Sequence, residues 1–149
     1  MKFDQLDLTI LKHLQDDGRL SFRELGRKLN IPHTTVFTRV ERLKKKGVIK
    51  KFAAILHPHE LGGQINIIVL DANPSESKSL AKKISELEGA KNVFRTLDGK
   101  IIIHAVVPSD PEAQGIEDFL TKIEGRPFTL YSINDIVKFD HKVHEEILK

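Results

Sequence analysis

The 149-residue sequence contains no cysteine, which excludes disulfide bonds and thiolate metal sites and fits a reducing compartment. It holds no apolar run near the length of a membrane span, and no signal-peptide-like hydrophobic region follows Met1. The expectation is a cytoplasmic protein with no membrane partner. Internal repeats and low-complexity segments are also missing. No nucleophile elbow, phosphate-cradling glycine loop or paired acid–base constellation appears, so no catalytic residue, enzyme activity or cofactor is expected. What remains, at 40% hydrophobic and 30% charged residues, is an ordinary globular composition sized for one domain or two small ones.

The net charge of +3 conceals an uneven distribution. Residues 1–62 carry 13 Lys/Arg against 7 Asp/Glu, a balance of +6, whereas residues 63–149 carry 11 against 14, a balance of −3. Between Arg19 and Lys51, 11 basic residues face only Glu24 and Glu41. So dense a positive block suits a polyanion, because neutralising phosphates releases condensed counterions. A solvated lysine-rich face would look the same by charge alone.

Hydrophobic spacing supplies the organisation. Leu6, Ile10, Leu11 and Leu14 share one helical face, and Asp16-Asp17-Gly18 stops the run. Ser21 with Glu24 three residues on is a capping-box pattern that opens a second helix through Phe22, Leu25 and Leu29. A third helix is expected over about 32–46, started at Pro32 and closed by Gly47. Three short helices within fifty residues, with a turn of three or four residues between the last two, form a helix-turn-helix pattern. Residues 48–56 read as a strand, and His57-Pro58-His59 and Leu61-Gly62-Gly63 mark a domain boundary. Strands are then expected over 65–72, 93–97, 101–107 and 128–137, with Asp98-Gly99 as a hairpin turn. Helices are expected over 75–88 and, after Pro108-Ser109-Asp110-Pro111, through Ile116, Phe119, Leu120 and Ile123 to Gly125, and residues 140–149 can form a further short one. The second half is thus β-α-β-β-α-β, a ferredoxin-like sandwich, and the fold class is α+β. The expected domains are 1–50, a connecting strand and linker over 51–63, and 64–149.

The third helix has a defined outward face. Val36, Val40 and Leu43 fall within about 60° of one another and face the core. Thr34, Thr38, Glu41 and Lys45 lie opposite, flanked by Thr35 and Arg42. Threonine hydroxyls and methyls can meet phosphates, base edges or a thymine methyl, and the arginine fork suits guanine or phosphate. A helix of this width enters the major groove. The expected DNA-contacting set is Ser21, Arg23, His33, Thr34, Thr35, Thr38, Arg39, Arg42, Lys45 and Lys46. Arg39 lies nearer the core, where an ion pair with Asp4 or Asp7 competes with direct DNA contact. His141 with His144, and His57 with His59, are close pairs without further ligands, so no metal site is expected. His104 is expected as a hydrogen-bonded interface residue.

The ordered set Asp4-Gln5-Leu6-Asp7, Ile10-Leu11, Leu14, Asp17-Gly18-Arg19, Glu24-Leu25, Thr35-Val36, Arg39-Val40, Arg42-Leu43 and Gly47-Val48-Ile49-Lys50 resembles the Lrp/AsnC (feast/famine) family of transcription regulators. Ala54-Ile55-Leu56 through Leu61-Gly62 resembles the family's connecting strand and its end, so the resemblance spans nearly the whole chain. It implies a DNA-binding unit joined to a regulatory (RAM) domain that dimerises through its sheets. It also implies dimers that assemble further, often to octamers, and an amino acid or related metabolite bound between dimers. The effector turn would comprise Leu97, Asp98, Gly99 and Lys100. Here Leu97 stands where the family has glycine and Lys100 where it has a second acid. A lysine would hold a ligand carboxylate but repel an α-ammonium group, which leaves a different effector, or none, open. Pro32 replaces a capping serine, so Asn30 or a shifted start must serve that helix end. Independently of the family, residues 65–70 and 101–107 are apolar on both sheet faces although two helices can cover only one, which asks for a second copy. The leading expectation is a sequence-specific, metabolite-modulated regulator of double-stranded DNA. The alternative is a constitutive, weakly specific DNA-packaging protein without an effector.

Overall fold

A computed structural model describes residues 3–110, 112, 115–123 and 125–149. Pro111, expected to lead into the last helix, lies outside them, as does Met1. The described chain divides into two compact units, one of residues up to Ile55 together with Lys138–Lys149, the other Leu56–Val137.

The first unit is built on three helices, α1 (Gln5–Asp16), α2 (Phe22–Leu29) and α3 (His33–Lys45). Ile10, Leu14, Leu25, Val36, Val40 and Leu43 form its core, with Leu6, Leu11, Phe22, Leu29 and Ile31 packed around them. The ends of these helices follow from local chemistry. Ser21 accepts from the Glu24 amide at 3.2 Å while the Glu24 carboxylate accepts from the Ser21 amide at 2.8 Å. Asp4 and Asp7 do the same for α1, at 2.9 and 3.3 Å. These reciprocal bonds satisfy helix-terminal donors that have no partner inside the helix. At the far end of α3, Gly47 takes φ 70°. Its amide donates to Lys44 O at 2.9 Å and that of Val48 to Leu43 O at 3.0 Å, a Schellman closure that needs the left-handed residue glycine supplies.

Residues 48–56, expected as a strand, form none. Val48 and Ile49 donate back to Leu43 and thereby finish α3. Branched and aromatic side chains favour extended chain, but a strand exists only where a neighbour completes its ladder, and no described strand pairs with this segment. The expected last helix over 140–149 shrinks to a 3-10 turn, Glu145–Leu148. Residues 138–149 instead lie along α1: Lys142 Nζ meets Asp16 Oδ1 at 2.6 Å, and the Val143 amide donates to Gln15 Oε1 at 3.1 Å. Leu148 is buried there. Hence the expected boundaries differ from the observed units, because the last twelve residues pack with the first unit.

The second unit carries β1 (Gly63–Leu70), α4 (Pro74–Ser85), β2 (Ala90–Arg95), β3 (Ile101–Pro108), α5 (Ile116–Thr121) and β4 (Phe128–Ser132). All pairs are antiparallel, in the order β2-β3-β1-β4. This is the expected ferredoxin-like α+β sandwich. β4 ends five residues earlier than expected; Ile133 still donates to Ile65 O at 2.9 Å before the chain leaves the sheet at Asn134-Asp135. Because side chains alternate along a strand, Ile68, Leu70, Ile101, Ile103, Ala105 and Val107 pack against Ala81, Ile84 and Phe119 of the helices. The other face holds Ile67, Val69, Ile102 and Val106, half-buried, with Phe94 and Tyr131 exposed. His104 lies on that face, its Nδ1 2.9 Å from Asn92 Nδ2. No described helix is long and apolar enough to cross a membrane.

Candidate nucleic-acid interface

The turn between α2 and α3 sets the position of the outward helix. Asn30 closes α2 in a left-handed conformation, φ 53°, and the Ile31 amide donates to Gly26 O at 2.9 Å. The chain passes so close to α2 that a Cβ on Gly26 would sit 2.8 Å from Ile31 O and 3.3 Å from His33 Cα. Glycine is therefore a requirement of the helix-helix approach. Asn30 is committed to this role and does not cap α3. Pro32 stands at that N-terminus without a side-chain acceptor, and its carbonyl takes the Thr35 and Val36 amides at 3.0 and 3.3 Å.

With Val36, Val40 and Leu43 in the core, α3 turns His33, Thr34, Thr38, Arg42 and Lys45 to solvent, with Thr35 half-buried. Lys46 follows at the C-cap, its ammonium 5.8 Å from the centre of the Phe3 ring. Thr38 Oγ1 donates to Thr34 O at 2.9 Å, which fixes its rotamer and leaves the methyl and oxygen lone pairs outward. Phe37, also exposed, meets the Phe22 ring edge-on at 5.9 Å. Ser21 is occupied by its capping box, whose hydrogen bonds hold the Glu24 carboxyl below its ordinary range. Arg23 is exposed on α2. It lines an open depression of about 760 Å³ with Arg27, Asn30, Pro32 and His33. Arg27 stands outside the expected set; its one sequence signal is its place on α2, four residues after Arg23.

The two arginines of α3 are both tied to the first turn of α1. Arg39 Nη1 bonds to Asp4 Oδ2 and lies 3.2 Å from Asp7 Oδ1, and Arg42 Nη2 bonds to Asp7 Oδ2. Asp7 is 1% exposed, whereas the arginine side chains keep 26% and 42% of their surface. The hydrogen bond from Arg39, followed by the Asp7 amide, holds the Asp4 carboxyl below its usual range, and both carboxylates raise Arg39. The expected ion pair of Arg39 is present with both acids at once. That Arg42 shares the same anchor had no local signal, since the partners lie 35 residues apart.

Leu97, Asp98, Gly99 and Lys100 form the tip between β2 and β3. The Thr96 amide donates to Lys100 O at 2.9 Å and the Gly99 amide to Thr96 O at 3.3 Å. Leu97 is fully exposed, the Thr96 hydroxyl bonds to Asp98, and Lys100 Nζ lies 3.5 Å from Asp71. The Thr96 hydrogen bond holds the Asp98 carboxyl low. His141 packs edge-on against Phe139 at 4.8 Å, and His144 Nδ1 accepts from the Glu146 amide at 3.2 Å. With no helix there, the two histidines do not share a helical face. No group of three metal-ligating side chains comes together among the described residues.

A winged helix-turn-helix DNA-binding family model matches residues 3–50, the segment that holds this interface. The HTH-type transcriptional regulator PH0140 of Pyrococcus horikoshii is 34% identical over 152 residues, covering 93% of this chain and 89% of its own. The crystal structure of PH0061, from the same organism, superposes with a TM-score of 0.86 at 29% identity, over 95% of this chain and 99% of its own. The structure of Bacillus subtilis LrpC matches with a TM-score of 0.73 at 27% identity, over 93% and 99%. PH0140 and PH0061 are both HTH-type transcriptional regulators by description. The chain belongs to the Lrp/AsnC family and is a DNA-binding transcriptional regulator.

Proposed function

We propose that the protein regulates transcription as a sequence-specific homo-oligomer that lays α3 in the major groove. Thr34, Thr35, Thr38 and Arg42 meet base edges with Arg39 beside them, while Arg23, His33, Lys45 and Lys46 serve the groove wall and phosphates, with Ser21 at the rim. The observation that carries this reading is the division of α3, with one face closed in the core and the other a polar, threonine-rich strip open to solvent. Two-fold pairing of copies would present two such helices to a pseudo-palindrome. The apolar outer face of the sheet supports that pairing, since monomers rarely leave so contiguous a patch to water. The regulatory half of the proposal is a small carboxylate-bearing metabolite at the 97–100 turn. Lys100 would have to exchange Asp71 for the ligand.

Selection of bound sequences from random DNA tests the proposal. A recovered pseudo-palindromic motif whose preference collapses in Thr34→Ala and Arg42→Ala supports it. Recovery of no motif, with equal affinity for unrelated duplexes, would favour the DNA-packaging alternative.

A further inference from the structure

The basic block and the reading face are not the same charges. Of the cations between Arg19 and Lys51, the two arginines of α3 are matched by two carboxylates at the start of α1. Lys44 is matched by Glu41 at 2.7 Å. Arg23, Arg27, Lys45, Lys46, Lys50 and Lys51 are exposed, with no ion pair to an acid among the described residues. The free positive charge of α3 therefore sits at its C-terminal end, at Lys45 and Lys46, while the arginine charges farther along the strip are offset by Asp4 and Asp7.

That separation has a consequence for discrimination. Affinity for any duplex grows with the number of phosphates a protein neutralises, whereas preference for one sequence comes from donors held against base edges. An arginine with a free guanidinium serves both ends badly, since it swings to the nearest phosphate on any sequence. A carboxylate behind it fixes the fork through one nitrogen, leaves the remaining N–H groups to point outward, and repels a phosphate that approaches the pair. We propose that Asp7, assisted by Asp4, is a specificity-determining residue: it positions Arg42 and Arg39 for base readout and withholds their charge from phosphates. The proposal rests on α3 being the reading helix. Asp7 touches no DNA in it and acts only through the arginines.

The test uses the full chain, the duplex recovered by selection and a scrambled duplex of equal length, each titrated over a range of salt. Asp4→Asn is the fold-safe variant, because asparagine caps a helix as well as aspartate does. Releasing one cation should steepen the salt slope on scrambled DNA by about 0.9 and tighten that binding about fivefold near 0.15 M salt. Binding to the selected duplex should gain less, so the ratio of the two affinities falls. Asp7→Asn should lower the ratio further, by about tenfold, since it frees Arg42 outright and leaves Arg39 held by Asp4 alone. Asp7→Glu should restore most of it. Equal weakening on both duplexes in Asp7→Asn, or an unchanged ratio in folded Asp4→Asn, overturns the proposal. A merely structural role would lower affinity without moving the salt slope. Arg42→Ala separates the two layers. If it abolishes the preference while the aspartate variants leave the ratio alone, only this inference fails. If it leaves the preference intact, or selection yields no motif, the reading of α3 fails and takes the inference with it.

Discussion

Replacing Gly26 by alanine sets two effects of opposite sign against each other, and the structure says which one wins. Alanine inside a helix is favoured over glycine by about 1 kcal/mol, so propensity alone would stabilise the protein. The added methyl, however, would lie 2.8 Å from Ile31 O and 3.3 Å from both His33 N and Cα. All three are backbone atoms that no rotamer change can move. Relief to ordinary contact requires α2 and α3 to part by about half an ångström, with the Ile31 to Gly26 hydrogen bond stretched in the process. Overpacking of this kind costs about 1–3 kcal/mol, and the backbone character of the contact puts it in the upper part of that range. The net expectation is a loss of about 1–2 kcal/mol. For a unit of this size that lowers Tm by about 5–10 °C. The same displacement moves the threonine strip relative to α2, so affinity for the selected duplex should fall about tenfold, the worth of one good base contact. Far-UV circular dichroism melts, hydrogen exchange over α2 and α3, and a titration with the selected duplex measure the three quantities. Gly18→Ala is the matched control, because its Cβ would meet nothing closer than 3.7 Å. A Gly26→Ala protein as stable as the parent or more so, with DNA binding intact, would refute the close approach and the argument built on it.

The acid response of the first unit should be confined to low pH. Asp4, Asp16 and Glu24 are each held below their ordinary values, chiefly by hydrogen bonds from Arg39, Lys142 and Ser21 respectively. A depressed folded-state pKa gives stability that is present above the unfolded value, near 4, and lost as pH falls through the folded one. Urea midpoints should therefore be flat from pH 7 to about 5 and decline below about 4. A decline centred between pH 8 and 6 would refute the assignment to these carboxylates. On the sheet, Ile67→Lys places a charge among His104 and Tyr131, its cross-strand neighbours on the outer face, while leaving the helix-covered core untouched. If copies pair through this face as proposed, sedimentation should show the parent above the monomer mass and the variant at it. An unchanged mass would refute pairing through this face.

Features encoded by neighbours in sequence were readable, and features that need a distant partner were not. The Ser21–Glu24 box and the Gly47 closure span four and six residues, and both form as expected. The Asp4–Asp7 box is just as local, but aspartate at the third position replaces the usual glutamate or glutamine and hides it. Residues 48–56 have strand-forming side chains, yet the ladder depends on a neighbour that their own composition does not specify. Gly26 is itself a signal, since a glycine between Leu25 and Arg27 weakens a helix unless a backbone must pass closely. The sharing of Asp7 by Arg39 and Arg42, and the seating of residues 138–149 on α1, depend on contacts between residues far apart in sequence.

The last of these has a bearing on how such proteins diversify. The DNA-reading unit is assembled from two separate stretches of chain, residues up to Ile55 and Lys138–Lys149. A single recombination point after the linker would transplant α1 with Gln15 and Asp16 bereft of Val143 and Lys142. Exchange of binding specificities by shuffling whole units is thereby handicapped, and a working chimera needs two junctions. On the proposed reading, new target sequences would be reached more readily by point changes at Thr34 and Thr38 of the exposed strip, away from the Arg42–Asp7 pair that ties α3 to α1.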